Sequence, residues 1–114
     1  MPRDDDAVTD ILNAARAIVR FMEGVDREDF DDDEVLREAV ARKLMIIGEA
    51  TKRLSQDFRE ARPQIPWRRM AGMRDVLIHN YDQVDPQAVW DASAEHVPEL
   101  IRVLEAMQQF SGDA

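Results

Sequence analysis

Apolar residues recur at a three-to-four spacing from one end of this chain to the other. In the first segment Val8, Ile11, Leu12, Ala15, Ile18, Val19 and Met22 follow the i, i+3, i+4, i+7 rule of an amphipathic helix. β-Branched residues do not alternate with polar ones, and only four glycines and five prolines interrupt 114 residues. A chain patterned this way buries its stripes by packing helix on helix. Its length suits one hydrophobic core, so residues 1–114 are expected to form a single all-α domain.

The stops and starts divide the pattern. Asp4 to Asp6 favour a helix start and Gly24 a helix end, which predicts a first helix over about residues 4–23. Asp31 to Glu34 reads as a capping box with Asp31 as N-cap. The stripe Leu36, Val40, Leu44, Ile47, Ala50 and Leu54 follows, widened by Val35, Ala39 and Ile46, and is expected to run to Arg59–Arg62, before Pro63. Pro66 opens a third helix through Trp67, Met70, Arg74, Leu77 and Tyr81. Asp85-Pro86 opens a fourth through Val89, Trp90, Val97, Leu100, Ile101, Leu104 and Met107, with a kink or break expected at Pro98. Short connections make successive helices antiparallel neighbours, giving an up-and-down bundle of four helices, or five if Pro98 splits the last.

Composition removes several classes of function. The chain has no cysteine, which excludes disulfide scaffolds, zinc ribbons, iron–sulfur sites and thiol nucleophiles. With two histidines, a metal site would have to be rich in carboxylates; none is expected, nor any cofactor, since the GxGxxG, P-loop and HExxH patterns are missing. The acidic start, Arg3 followed by Asp4 to Asp6, is unlike a signal peptide. The longest apolar run, Leu44 to Ile47, is far short of a membrane span. A cytoplasmic protein without membrane contact is the expectation. A net charge of -9 argues against a general nucleic-acid coat, which needs excess Lys and Arg.

That charge is unevenly spread. Residues 52–74 carry Lys52, Arg53, Arg59, Arg62, Arg68, Arg69 and Arg74 against only Asp57 and Glu60. Arginine's planar fork suits phosphate, so the block reads as an anion-binding face, with Lys52, Arg53, Arg68 and Arg69 as candidate contacts. Helix-end pairing accounts equally well for any single arginine of the block.

The island ends at the one segment that carries chemistry. Arg74 to Tyr81 sets a permanent cation, a carboxylate, an imidazole, an amide and a phenol within eight residues. An arginine that holds phosphate and a histidine that moves protons are the minimum parts of a metal-free ribonuclease, which uses the ribose 2′-OH as its nucleophile. On one ideal helix Arg74 and His79 would point about 140° apart. Either the helix loosens near Asn80, or a second copy of the motif completes the site across a twofold axis. The plainer reading pairs Arg74 with Glu49, caps a helix end with His79 and packs Tyr81.

Beyond the bare Arg-x4-His-x-Tyr spacing, Ile47-Gly48-Glu49-Ala50, Ile65-Pro66-Trp67, Gly72-Met73-Arg74-Asp75, Leu77-Ile78-His79-Asn80-Tyr81 and Val89-Trp90 together resemble the HepT toxins of the all-helical HEPN group, over about residues 5–110. The resemblance implies a homodimeric, metal-independent endoribonuclease with its motif at the dimer cleft. It implies Arg74 and His79 as the ribonuclease pair, Asp75 as a polar group able to orient either, and Tyr81 as acceptor of AMP from an MntA-like minimal nucleotidyltransferase antitoxin. The competing function is a non-catalytic helical module that docks a nucleotidyltransferase or a nucleotide; a purely structural dimerisation bundle is the third.

Other notable residues read as framework. Trp67 and Trp90 are able to stack bases but sit at core spacing, His96 has no metal-spaced partner, and the six methionines read as core filler. Glu49, inside the apolar stretch, needs a partner if buried, and Arg74 is the first candidate.

Overall fold

A computed structural model describes residues 2–79 and 83–112. Its elements are α1 (Pro2–Met22), α2 (Arg27–Asp31), α3 (Glu34–Lys52), α4 (Gln56–Glu60), α5 (Trp67–Ala71), α6 (Met73–Leu77), β1 (Ile78–His79), β2 (Gln83–Val84), α7 (Pro86–Asp91), a π-helical turn (Ala92–His96) and α8 (Val97–Gly112). The all-helical expectation holds. A two-residue antiparallel ladder, Ile78 opposite Val84 and His79 opposite Gln83, is the one β feature among the described residues.

The helix ends follow local chemistry. Gly24 leaves α1 at φ 73°, a left-handed conformation that costs glycine little. Asp26 caps α2 by accepting from the N–H of Asp29. The cap of α3 is Asp33, which accepts from the N–H of Leu36 at 2.9 Å, not Asp31. Asp31 is taken up instead by α2, whose final carbonyls accept hydrogen bonds from the Arg37 guanidinium. Within a run of three aspartates, position relative to Leu36 decides which one caps.

The expected long second helix is broken. α3 stops at Lys52, and Ser55 starts α4 by accepting from the N–H of Phe58 at 3.1 Å. Asp4 fixes this break from the far end of the chain: its carboxylate accepts from the Ser55 N–H and hydroxyl, each at 2.8 Å. Burial pushes the Asp4 carboxyl up, but the two hydrogen bonds from Ser55 and the positive charge of Arg62 outweigh it, so its pKa lies below the usual carboxylate value.

The third predicted helix is also divided. α5 ends at Gly72, α6 ends at Leu77, and the chain then turns extended at Ile78. Asp85 caps α7 with Pro86 leading, as the sequence predicts. The disturbance expected at Pro98 falls one turn earlier, as the π-helical turn Ala92–His96. Proline has no N–H for the carbonyl four residues back, at Ala94, and its ring crowds that carbonyl, so the preceding turn widens.

α3 is the centre of the bundle. α1 packs along one side of it and α5, α6 and α7 along the other, while α8 packs on α1. Ile11, Ile18, Val40, Leu44, Ile47, Met70, Met73, Leu77, Leu100 and Leu104 are fully buried in one core. Each such side chain contributes about 1.5–3 kcal/mol through burial. At Gly48 the neighbouring backbone comes so near that an added Cβ would stand 2.8 Å from the Met70 carbonyl oxygen and 3.1 Å from Met73 Cβ. This glycine lets α5 and α6 lie directly on α3, and so sets how close Arg74 comes to that helix.

Candidate functional site

Arg74 is exposed on α6, one residue after the buried Met73 that rests on Gly48. It lines a groove of about 540 Å³ with Glu38, Arg42, Met45, Ile46, Glu49, Ala50 and Arg53 of the α3 side, and Ile78 and Val84 of the ladder. The floor is apolar and the rim charged. Three arginines face two glutamates, so the groove carries a local positive excess in an acidic chain. Among the described residues, the guanidinium groups of Arg74 and Arg42 form no hydrogen bond or ion pair, which leaves both open to an anion.

The expected partner of Arg74 is otherwise engaged. Glu49 is exposed rather than buried and pairs with Lys52 at 3.2 Å. A carboxylate in water has no need of the arginine, which explains why the Glu49–Arg74 pairing does not form.

The other site candidates divide. His79 is on β1, directly after the end of α6, so the helix does loosen before it, two residues sooner than Asn80. Its backbone pairs with Gln83. The continuous-helix angle between Arg74 and His79 therefore does not apply. Tyr81 lies outside the described residues. Asp75 is exposed on α6 and is not among the residues that line the groove.

The basic island does not form one patch. Arg53 lines the groove and pairs with Asp10 of α1. Lys52 is held by Glu49. Arg68 and Arg69 are exposed on α5, outside the groove lining. Arg59 donates to the Leu54 carbonyl, and Arg62 donates to the Phe58 carbonyl with its guanidinium 3.9 Å from the Phe58 ring centre. Those two arginines do helix-end work. Arg42 is the groove cation that charge counting missed, because it sits in the acidic half of the sequence. Its signal was the α3 spacing Glu38, Arg42, Met45, Glu49, Arg53, which places all five on one helix face.

Both tryptophans are framework. Trp67 is buried edge-on against Phe58 and donates its Nε1–H to the Arg62 carbonyl at 2.9 Å. Trp90 packs edge-on against Phe30 at 5.3 Å. No helix among the described residues is long and apolar enough to cross a membrane.

These observations define a class: a small all-helical bundle built on one central helix, with an arginine presented at a groove just before a short histidine-bearing strand. Comparison with known proteins makes the class specific. The family profile described as "Ribonuclease HepT-like" matches residues 11–107, and the chain belongs to that family. It is 44% identical over 95 residues to "Probable ribonuclease HepT" of Thermococcus cleftensis, covering 83% of this chain and 86% of that one. It is 38% identical over 96 residues to "Putative RNase MJ1380" of Methanocaldococcus jannaschii, covering 84% and 88%. A similar chain of Caldanaerobacter subterraneus, "Putative RNase TTE0752", is 39% identical over 99 residues, covering 87% and 88%. No solved structure matches the chain.

Proposed function

We propose that the protein is the toxin of a toxin–antitoxin pair, a metal-independent endoribonuclease that cuts RNA at the Arg74 groove. The observation that carries this reading is an exposed Arg74, free of carboxylate partners among the described residues, at a cationic groove within a HepT-like ribonuclease chain. His79 takes the proton of a ribose 2′-OH. The 2′-oxygen attacks the adjacent phosphorus, the bond to the 5′-oxygen breaks, and that oxygen takes a proton from solvent, to which His79 releases the one it accepted. A 2′,3′-cyclic phosphate and a 5′-hydroxyl result. Arg74 stabilises the charge that builds on the phosphoryl oxygens, and Asp75 orients Arg74 or His79. Lys52, Arg68 and Arg69 hold flanking phosphates.

Two copies join their motifs in a cytoplasmic homodimer. An MntA-like nucleotidyltransferase transfers AMP to the Tyr81 oxygen, and the added nucleotide fills the cleft and competes with RNA for Arg74. The similarity to ribonuclease-named chains favours catalysis over the alternative of a silent docking module.

The test is cleavage of a defined single-stranded RNA in excess chelator, against the same strand carrying 2′-deoxyribose at the cut site. The RNA is expected to be cut to cyclic-phosphate ends and the substituted strand to survive. Equal cleavage of both, or no cleavage of any RNA, overturns the mechanism. For the control step, the intact mass after co-expression with a nucleotidyltransferase of the MntA type is expected to rise by whole AMP units, and not to rise in Tyr81→Phe.

A further inference from the structure

The outer face of α3 inverts its charge pattern when read in reverse. Glu38, Arg42, Met45, Glu49 and Arg53 follow one another at steps of four, three, four and four residues, all lining the same groove. Read from the other end the order is base, acid, apolar, then base, acid, so reversing the helix exchanges every charge for its opposite. An isologous twofold contact places residue i against residue j with i plus j constant, because both partners use the same patch in opposite directions. With the axis between Met45 and Ile46, Arg42 falls opposite Glu49 of a second copy, and Glu38 opposite Arg53. The same axis brings Met45 onto Ile46. One register therefore satisfies four charges and the apolar centre at once.

We propose that this face of α3 is the surface on which two copies of the chain meet, with the twofold axis crossing between Met45 and Ile46. The proposal rests on the dimeric reading given above and adds the surface, the register and the pairs.

Three observations support a second copy as the occupant. First, Met45, Ile46, Ile78 and Val84 are only partly buried on the core's outer side, so the groove floor has apolar area left to cover. Second, Arg42 and Glu38 form no ion pair among the described residues, while Glu49 and Arg53 are held only by half-exposed partners. Lys52–Glu49 has side chains 54% and 68% exposed, and Arg53–Asp10 has 50% and 49%. Exposed pairs are weak and exchange readily for better ones. Third, the two glutamates alternate with the arginines along the face. A nucleic-acid backbone laid lengthwise would meet a carboxylate at every second charged position, whereas a second copy meets each charge with its opposite.

The consequence reaches the site. Arg74 lines the same groove, so a copy docked in this register brings a second Arg74 into one shared cleft. The inner pair, Arg42 with Glu49, stands about 5 Å from the axis along the helix and is the contact most sensitive to register.

The experiment is sedimentation equilibrium on the full chain, with circular dichroism to confirm folding. The wild type is expected to be a dimer. Arg42→Glu alone and Glu49→Arg alone each set two like-charge contacts across the axis and are expected to weaken dimerisation about 100-fold or more. The double variant Arg42→Glu/Glu49→Arg reverses both pairs and is expected to regain a dimer within about tenfold of wild type. Single variants that stay as dimeric as wild type, or a double variant as monomeric as the singles, overturn this register and leave the dimeric ribonuclease reading intact. A monomeric wild type overturns both the register and the dimer, and the cleavage assay then judges the ribonuclease reading separately.

Cross-linking gives a second readout that does not depend on charge reversal. The chain has no native cysteine. Met45→Cys is expected to couple two copies through a short bis-maleimide. Val35→Cys, exposed on the same helix and about 30 Å from its counterpart in this register, is expected not to couple. The opposite result places the interface elsewhere, including on a nucleotidyltransferase or RNA-binding face.

Discussion

The pair α1–α3 and the segment from α5 to β2 solve opposite problems in the same small bundle. The first consists of helices of 21 and 19 residues, lined by fully buried Ile11, Ile18, Leu44 and Ile47. The second spends its residues on two five-residue helices without side-chain caps, joined at Gly72 and followed by a two-residue ladder. Long stripes give cooperative stability, while short uncapped pieces give changes of direction. The candidate site is built where direction changes, and it borrows its rigidity from α3 through Met70, Met73 and Leu77, all fully buried. Amides of α6 and β1 are therefore expected to exchange with solvent faster than those in the middle of α3, as measured by native-state hydrogen exchange. Equal protection in both regions would erase the distinction.

The frame breaks most severely from within. Leu44→Ala removes a fully buried side chain at the centre of α3 and is expected to cost about 2–5 kcal/mol in chemical denaturation. The seam between the regions comes next. Gly48→Ala drives a methyl group into the Met70 carbonyl and is expected to cost about 1–3 kcal/mol, with the shift concentrated in α5 and α6. Preserved stability in that variant would mean the site segment can lift off α3 freely.

The tie between Asp4 and Ser55 is expected to contribute about 1 kcal/mol at neutral pH, read from Asp4→Asn. Its sign with pH follows from the lowered folded-state pKa of Asp4. The unfolded chain binds the proton more tightly, so the contribution is complete above the ordinary carboxylate value near 3.8 and is lost as the pH falls through the lower folded value. The difference between wild type and Asp4→Asn should narrow on acidification below pH 3.8; a gap that widens there would reverse the assignment.

The smallest stability effect belongs to the site. Arg74→Ala removes an exposed side chain with no ion pair among the described residues and is expected to shift stability by less than about 0.5 kcal/mol.

This ordering also explains what the sequence revealed. Stripes long enough to repeat, in α1 and the first part of α3, were legible from period alone, as were Gly24 and Asp85-Pro86, where backbone chemistry leaves few alternatives. The break at Ser55 was hidden because Leu54 and Phe58 continue an apolar spacing, while the contact that fixes it comes from Asp4, fifty-one residues away. The end of the helix at Leu77 was hidden for a similar reason: Tyr81 prolongs the stripe, but pairing with Gln83 and Val84 takes the backbone first. For the site, Arg74 was legible as chemistry, whereas its separation from Glu49 depended on which side of α3 faces water. Arg42 was missed because charge was counted along the chain and not around the helix.

Cleavage by Arg74→Ala, assayed beside wild type on one RNA in the presence of chelator, tests the central claim most directly. If the guanidinium stabilises the phosphoryl charge in the transition state, kcat falls about 100- to 1,000-fold while the folded state is unchanged. Cleavage at the wild-type rate by a folded Arg74→Ala protein would contradict the claim and remove the groove from the reaction.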